Sequence, residues 1–447
     1  MAYTQTTLGD LINALSIRLS DTSFLFWTQD EMRRYIIEAL HTWQAMSAQY
    51  TSRVSFNTVP LQLTYDLYDE VPSIAPTITD RNMIVMVEEC LQEAVSSTTW
   101  AGTEQFSFAE MVQSIQRRRD KFIVETGIVL QESNPVILAG STTLNLNQST
   151  IDVRRVMWKG DEEQLWSLLW KADNFTLVSA GSRPAGTPVD FSTALEAPVT
   201  LRISPETDVD GTLNLITTNS GVDLNPGTSA TILGIPDDLC WVVKYGVLAD
   251  LLSQSGQGQD LARAAYAESR WRDGIKLARI WNLVKFGYQD TTGVFIDSMF
   301  DIDANDPTWV FELPNSPQYI GVAGNIICAA PIPDNIPMAL GFDVSFMPMP
   351  ASDIDYVQVG AETLNVIIDY AEHLASFKEG MSEISPTIVL YQNMIRLAAT
   401  MNDRLRAAAQ NFDVMSDRSI RENKNRPRRN SDIQLGELNY KNTDTEE

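Results

Sequence analysis

The chain has 447 residues, 44% of them hydrophobic, and a formal net charge of −25. That length exceeds a single core and implies roughly two to four domains, with enough apolar residues to fill them. The charge excludes a general nucleic-acid binder, which needs clustered Lys and Arg against phosphate, and no apolar run approaches the ~18 residues of a membrane span.

The first residues, Met1-Ala2-Tyr3-Thr4-Gln5-Thr6, have neither a basic n-region nor an apolar h-region, so no signal peptide is predicted. Residues 7–19 read as a short helix, with Leu8, Leu11, Ile12, Leu15 and Leu19 on one face and Thr7 capping with Asp10. The strongest local signal follows. Thr28 and Glu31 form a capping box, with Trp27 and Met32 placed as its hydrophobic staple. The helix it starts runs to about residue 50. Residues 54–67 alternate as one or two strands broken near Pro60. Residues 82–95 are helical. Phe106-Ser107 with Glu110-Met111 repeats the capping device and opens a helix to residue 126.

Near residue 132 the texture becomes rich in Thr, Ser, Asn and Val. Strands are predicted at 135–139, 142–147, 151–158, 175–180, 188–194, 199–203 and 212–217, with one helix at 161–172 between them; their spacing implies a β-sandwich or small barrel. Pro236-Asp237-Asp238 then starts a helical hairpin over 235–285, broken at 253–259. Further strands are expected at 294–300, 308–313, 319–330 and 340–347, followed by helices at 361–377 and 385–412. Asp238-Leu239-Cys240-Trp241-Val242-Val243-Lys244-Tyr245-Gly246 aligns with Thr363-Leu364-Asn365-Val366-Ile367-Ile368-Asp369-Tyr370-Ala371, an internal β-then-hairpin repeat. The last residues are polar, with a basic run over 418–429.

The fold class is therefore α+β: a helical bundle with an inserted β-sandwich or barrel, a second smaller β-plus-helical-hairpin region, and an extended C-terminal tail. The divisions are 1–132, helical with a small β element; 133–234, β-rich; 235–286, a hairpin completing the first helical domain; 287–411, the second β-plus-hairpin region; and 412–447, the tail.

Chemistry is sparse. His41 and His373 lack Cys/His partners at ligand spacing, and no P-loop, dinucleotide fingerprint or nucleophile elbow occurs. Asp301, Asp303 and Asp306 lack the glycine and distal glutamate of a calcium loop and read as a solvated acidic turn. Gly181 to Gly186 reads as a strand-connecting loop. Cys90, Cys240 and Cys328 lie in apolar contexts and read as buried free thiols of a reducing compartment. No enzyme and no cofactor is expected. Arg263, Arg270, Arg272, Lys276 and Arg279 read as a solvated face or as salt-bridge partners of a neighbour. The residues expected at a subunit or partner interface are Trp271, Arg272, Lys276, Arg279, Arg421, Arg426, Arg428 and Arg429.

Phe26-Trp27-Thr28-Gln29-Asp30-Glu31-Met32-Arg33-Arg34-Tyr35-Ile36-Ile37-Glu38-Ala39 resembles the opening of tailed-phage head-to-tail adaptor proteins, with Ile37 where they usually carry Asn. Arg202-Ile203-Ser204-Pro205-Glu206-Thr207-Asp208 resembles their strand, proline and acidic turn. Ile235-Pro236-Asp237-Asp238-Leu239 with Tyr245-Gly246-Val247-Leu248-Ala249 resembles their closing helical pair. The match spans residues 5–285 with gaps, and the region after 286 is not part of the short adaptors. The resemblance implies a virion protein made in the bacterial cytoplasm. It would form a ring, usually a dodecamer, in the neck between the portal protein and the tail or nozzle proteins. Genomic DNA would pass through its channel without sequence-specific binding, and no membrane is involved. Alternatives are a nozzle, tail-tube or baseplate component, or a carbohydrate-binding module.

Overall fold

The computed structural model describes residues 6–92, 105–159, 165–170, 184–194, 198–256, 258–289, 292–305, 315–334 and 337–415. It is a mixed α+β protein. Helix starts follow local side-chain chemistry. Helix α1 (Leu8–Arg18) is capped by Thr7 with Asp10 and α2 (Gln29–Ser47) by Thr28 with Glu31. A short α3 (Leu67–Glu70) precedes α4 (Asp80–Leu91), which is capped by Thr79 with Asn82, and α5 (Phe108–Thr126) is capped by Ser107 with Glu110. In all four boxes the cap hydroxyl accepts the third backbone N–H and the third side chain returns a bond to the cap.

The hairpin helices are α6 (Cys240–Ser253) and α7 (Leu261–Ile280). After a short α8 (Met299–Asn305) come α9 (Ala361–Glu379), α10 (Met381–Met401) and α11 (Asp403–Ala408). Helix α6 packs on α4, α5 and α7, while α9 packs on α1, α2 and α10. One continuous apolar core, from Leu8 to Val414, unites both hairpins with the first helices.

The second β region is built jointly with the first. Strands β1 (Ser52–Asn57) and β2 (Thr64–Asp66) sit at opposite edges of a seven-stranded sheet. Between them lie β12 (Val284–Gln289), β13 (Thr292–Ser298), β14 (Tyr319–Ala323), β15 (Ile326–Ala330) and β16 (Ala339–Val344). The order is β1-β16-β12-β13-β14-β15-β2, with β13 and β14 parallel and the other pairs antiparallel. Seven residue steps from Asn57 to Thr64 reach at most ~25 Å, whereas six strand spacings of a flat sheet need ~29 Å. The sheet therefore has to curl. Tyr65 closes the gap: its hydroxyl donates to Val59 O and Gln62 O, and its ring lies 5.2 Å from that of Phe56.

Between α5 and α6 the chain forms β3 (Gln131–Ser133), β4 (Val136–Ile137), β5 (Thr143–Asn145), β6 (Thr150–Lys159), β7 (Leu165–Ser167), β8 (Leu169–Trp170), β9 (Asp190–Ala194), β10 (Thr200–Ser204) and β11 (Gly211–Asn219). They make two sheets, β3-β11-β6-β7 with β4 on β11, and β5-β10-β9-β8. Val156, Trp158, Leu213 and Leu215 from one meet Phe191, Leu201 and Ile203 from the other. Alternation then turns Met157 and Ile216 outward onto Cys328, Ile326 and Met299 of the curled sheet's side. Arg155, on that second face, donates to Asp303 at 2.8 Å and ties the inserted sheets to α8.

Several expectations change. Residues 165–167 and 169–170 of the predicted helix over 161–172 are the strands β7 and β8, and backbone pairing of β7 with β6 and of β8 with β9 outweighs a weak helical period. The predicted strand over 319–330 is two strands, β14 and β15, turned at Gly324 with φ +59°. The predicted solvated acidic turn is α8, and its Asp303 is held by Arg155. The predicted strands at 175–180 and 308–313, Gly181, Asp306 and the tail from residue 416 lie outside the described residues.

Candidate interface on the helical hairpin

The hairpin that carries the predicted interface is close-packed through two glycines. A Cβ on Gly246 of α6 would lie 2.6 Å from Trp271 Cε3 and 2.9 Å from Arg118 Cδ. A Cβ on Gly274 of α7 would lie 2.5 Å from the Val242 methyls. Each helix thus supplies the notch for the other's bulk. Gly246→Ala is expected to destabilise the protein by about 1–3 kcal/mol through overpacking, read as a shift in urea midpoint at unchanged slope.

Trp271 fills the first notch. It is 2% exposed, edge-on to Phe122 and under the Arg118 guanidinium at 5.0 Å. The interface expectation for Trp271 is therefore corrected: its ring is buried inside its own subunit. Arg263 and Arg270 are likewise interior, not members of a solvated face. Arg263 donates to Cys90 O at 3.0 Å and lies 4.9 Å over Phe377. Arg270 is fully buried and caged by aromatic rings, with Tyr391 at 3.7 Å, Trp241 at 4.7 Å, Tyr245 at 4.9 Å and Tyr370 at 5.4 Å. Ring quadrupoles stabilise the cation there. Tyr245 and Tyr370 are the equivalent tyrosines of the two aligned stretches, so the hairpins meet on one guanidinium.

The remaining cations of α7 hold the chain's own C-terminal segment. Lys276 donates to Asn411 O and Asp413 Oδ1, both at 2.7 Å. Arg272, largely exposed, reaches Glu268 and Asp413 at 3.7 Å. Asp273 accepts the Asp413 and Val414 amides, and burial raises its carboxyl above the ordinary range despite those bonds. Arg279 donates to Glu125 O at 3.0 Å. Arg272, Lys276 and Arg279 thus make contacts within the chain. Arg421, Arg426, Arg428 and Arg429 lie outside the described residues.

The start of the hairpin is an anchor. Asp237 accepts the Thr77 and Ile78 amides and the Thr77 hydroxyl, and Asp238 pairs with His41 Nδ1 at 2.7 Å. Burial pushes the Asp238 carboxyl up, against the pull of His41. Six residues on, Lys244 meets Glu38 of α2 with both side chains buried. Burial, the largest influence, pulls the Lys244 ammonium down, but Glu38 together with Cys90 and Tyr370 holds the group above its ordinary value.

One surface was not predicted as a site. Phe286, Phe295 and Tyr319 stand in a row across β12, β13 and β14, each at least 40% exposed. Beside them Arg53 lies 4.3 Å over Tyr288, and both contact Asp343. The alternation Phe286–Tyr288 is visible in the sequence, but the alignment of three strands is not.

The three thiols are buried and free. Among the described residues no helix is long and apolar enough to cross a membrane. No family model matches the chain, and no curated protein matches it.

Proposed function

We propose that this chain is a structural virion protein of a tailed phage, a ring-forming component of the neck that joins portal to tail around the DNA channel. The observation that carries the reading is spatial. Two of the stretches resembling head-to-tail adaptors, 26–39 and 235–249, pack together through Glu38 and Lys244, which are 206 residues apart in sequence. They behave as one structural unit interrupted by an insertion, which is the arrangement the resemblance implies. The third stretch fits as well, since β10 ends at Ser204, directly before Pro205.

Charge and surface are compatible with that role. An acidic chain lining a channel repels DNA phosphate and lets it slide. The row of Phe286, Phe295 and Tyr319 offers the aromatic area that protein interfaces favour. Native mass spectrometry and electron microscopy of the purified protein, alone and with a portal ring, test the reading. The expected result is a closed ring of about twelve copies that docks on the portal. A monomer that ignores the portal at every concentration overturns it, and a ring located on a virion away from the portal moves the assignment to another tail component.

A further inference from the structure

Residues 411–414 lie in a slot that holds them as a bound peptide is held. The slot is formed by α7 and α10, and side chains, not a neighbouring strand, meet the backbone of the segment. Lys276 donates to Asn411 O at 2.7 Å, and Gln392 donates to Val414 O at 2.8 Å. Asp273 accepts the amide of Asp413 and, at 3.0 Å, that of Val414. Phe412 is fully buried and Val414 is 3% exposed. Between them Asp413 turns to Lys276 at 2.7 Å and Arg272 at 3.7 Å. The segment is thus read as apolar, acidic, apolar, and two cations are offered to its acid by a chain of net charge −25.

Asp273 shows that the slot is built for this occupant. Its side chain has no exposed surface, and apart from the two segment amides it is bonded to Lys276 at 3.3 Å. A buried carboxylate is costly unless charge-assisted bonds satisfy it, and here a peptide backbone supplies them. An empty slot would take both amides from Asp273 and uncover the seats of Phe412 and Val414. The helical path from α10 breaks at Asn402, with φ −125° and ψ 107°, before α11 leads on to the segment. Helix α11 and the segment therefore form one arm hung on a single extended residue. The arm packs on α10 and α7 and buries Leu405, Phe412 and Val414. A second copy carries the same arm, so exchange preserves these contacts and changes only the path through Asn402. The concentration of neighbouring slots against that of the chain's own then decides which arm binds.

We infer that the slot between α7 and α10 is an exchange site between copies of this chain, in which residues 411–414 of a second copy replace the chain's own, carried across on α11 about Asn402. Each copy gives an arm and receives one. The inference does not rest on the neck reading, since exchanged arms link copies in any oligomer and a ring can also close without them.

Carbodiimide cross-linking joins amines to adjacent carboxylates and reports the contact of Lys276 with Asp413 directly. Isotopically light and heavy wild-type proteins are mixed as dilute monomers, concentrated and cross-linked. The link is expected to stay within one isotope in the dilute protein and to join light to heavy in the oligomers of the concentrated one. Two full-length charge reversals, Lys276→Glu and Asp413→Lys, test the fit. Each alone sets like charges together, both within a chain and between identical copies, whereas in a mixture each reversed charge finds its opposite across copies. Native mass spectrometry should show the mixed species about ten-fold above the self-associated species of either variant. The double variant Lys276→Glu/Asp413→Lys, matched again within one chain, should return to the wild-type level. Links that stay within one isotope at every concentration overturn the inference, as does a mixture whose two variants associate no more than each does alone. Portal docking enters neither readout, so a failure here is distinct from a failure of the neck reading.

Discussion

Glu38→Gln is expected to lower the unfolding free energy by about 3–5 kcal/mol. Glu38 and Lys244 are 4% and 2% exposed, and they join α2 to α6 across the core. Removing the carboxylate charge leaves a buried ammonium over the face of Tyr245, at 4.8 Å, without its ion-pair partner. Glu38 Oε1 already lacks a hydrogen bond. Lys244→Met should cost a similar amount by stranding the carboxylate. The double variant Glu38→Gln/Lys244→Met should cost clearly less than the two singles added, because neither charge is then orphaned. Urea titrations of the four proteins measure this coupling, and additive single effects would show that the charges do not depend on each other. The pH sign follows from the raised folded value of Lys244. Its stabilising share is fully present below its unfolded pKa of ~10.4 and lost as pH rises through the higher folded value. Lys244→Met should lack that alkaline loss.

Acid should destabilise the protein through His373. Its Nε2 lies 2.5 Å from the Tyr266 hydroxyl and its Nδ1 2.9 Å from Thr387 Oγ1, and its ring stacks parallel to Tyr391. Burial, helped by the Arg270 charge, pushes its pKa down to about 3. The folded state thus holds imidazole neutral, whereas the unfolded chain binds a proton near pH ~6.5. The stability from this group is present above that value and is lost as pH falls toward the folded value, at about 1.4 kcal/mol per unit. Between pH 7 and 4.5 the loss amounts to about 3 kcal/mol. His373→Gln cannot titrate there, so its stability should fall less over the same range by that amount. Asp273 and Glu89, whose carboxyls burial raises, titrate in both proteins and cancel in the comparison. Parallel curves for the two proteins would show that His373 is not held neutral.

These two effects arise from residues that the sequence marked only as helical. His373 could be excluded from a metal site by spacing, but its role at the contact of two hairpins depends on Tyr266 and Tyr391 from other helices. Arg270 misled in the same way. Its neighbours Arg272 and Lys276 are at the surface, and only the meeting of α7 with α9 and α10 turns Arg270 inward among aromatic rings.

What the sequence determined by itself was local. The boxes at Thr28 and Ser107 start helices where they were read, because cap and third residue are three positions apart and need no distant partner. Strands β6, β9, β10 and β11 followed from alternation and turn residues. The tertiary structure alone decided the rest. It set β1 beside β16 and β2 beside β15, pairings across more than 250 residues that no local period encodes. It turned 165–167 and 169–170 into strand through backbone pairing with β6 and β9. It placed Trp271 inside, because Gly246 leaves a notch that only the folded hairpin reveals. Backbone capping is a short-range bond between chain neighbours, whereas burial and sheet order depend on which distant surfaces meet.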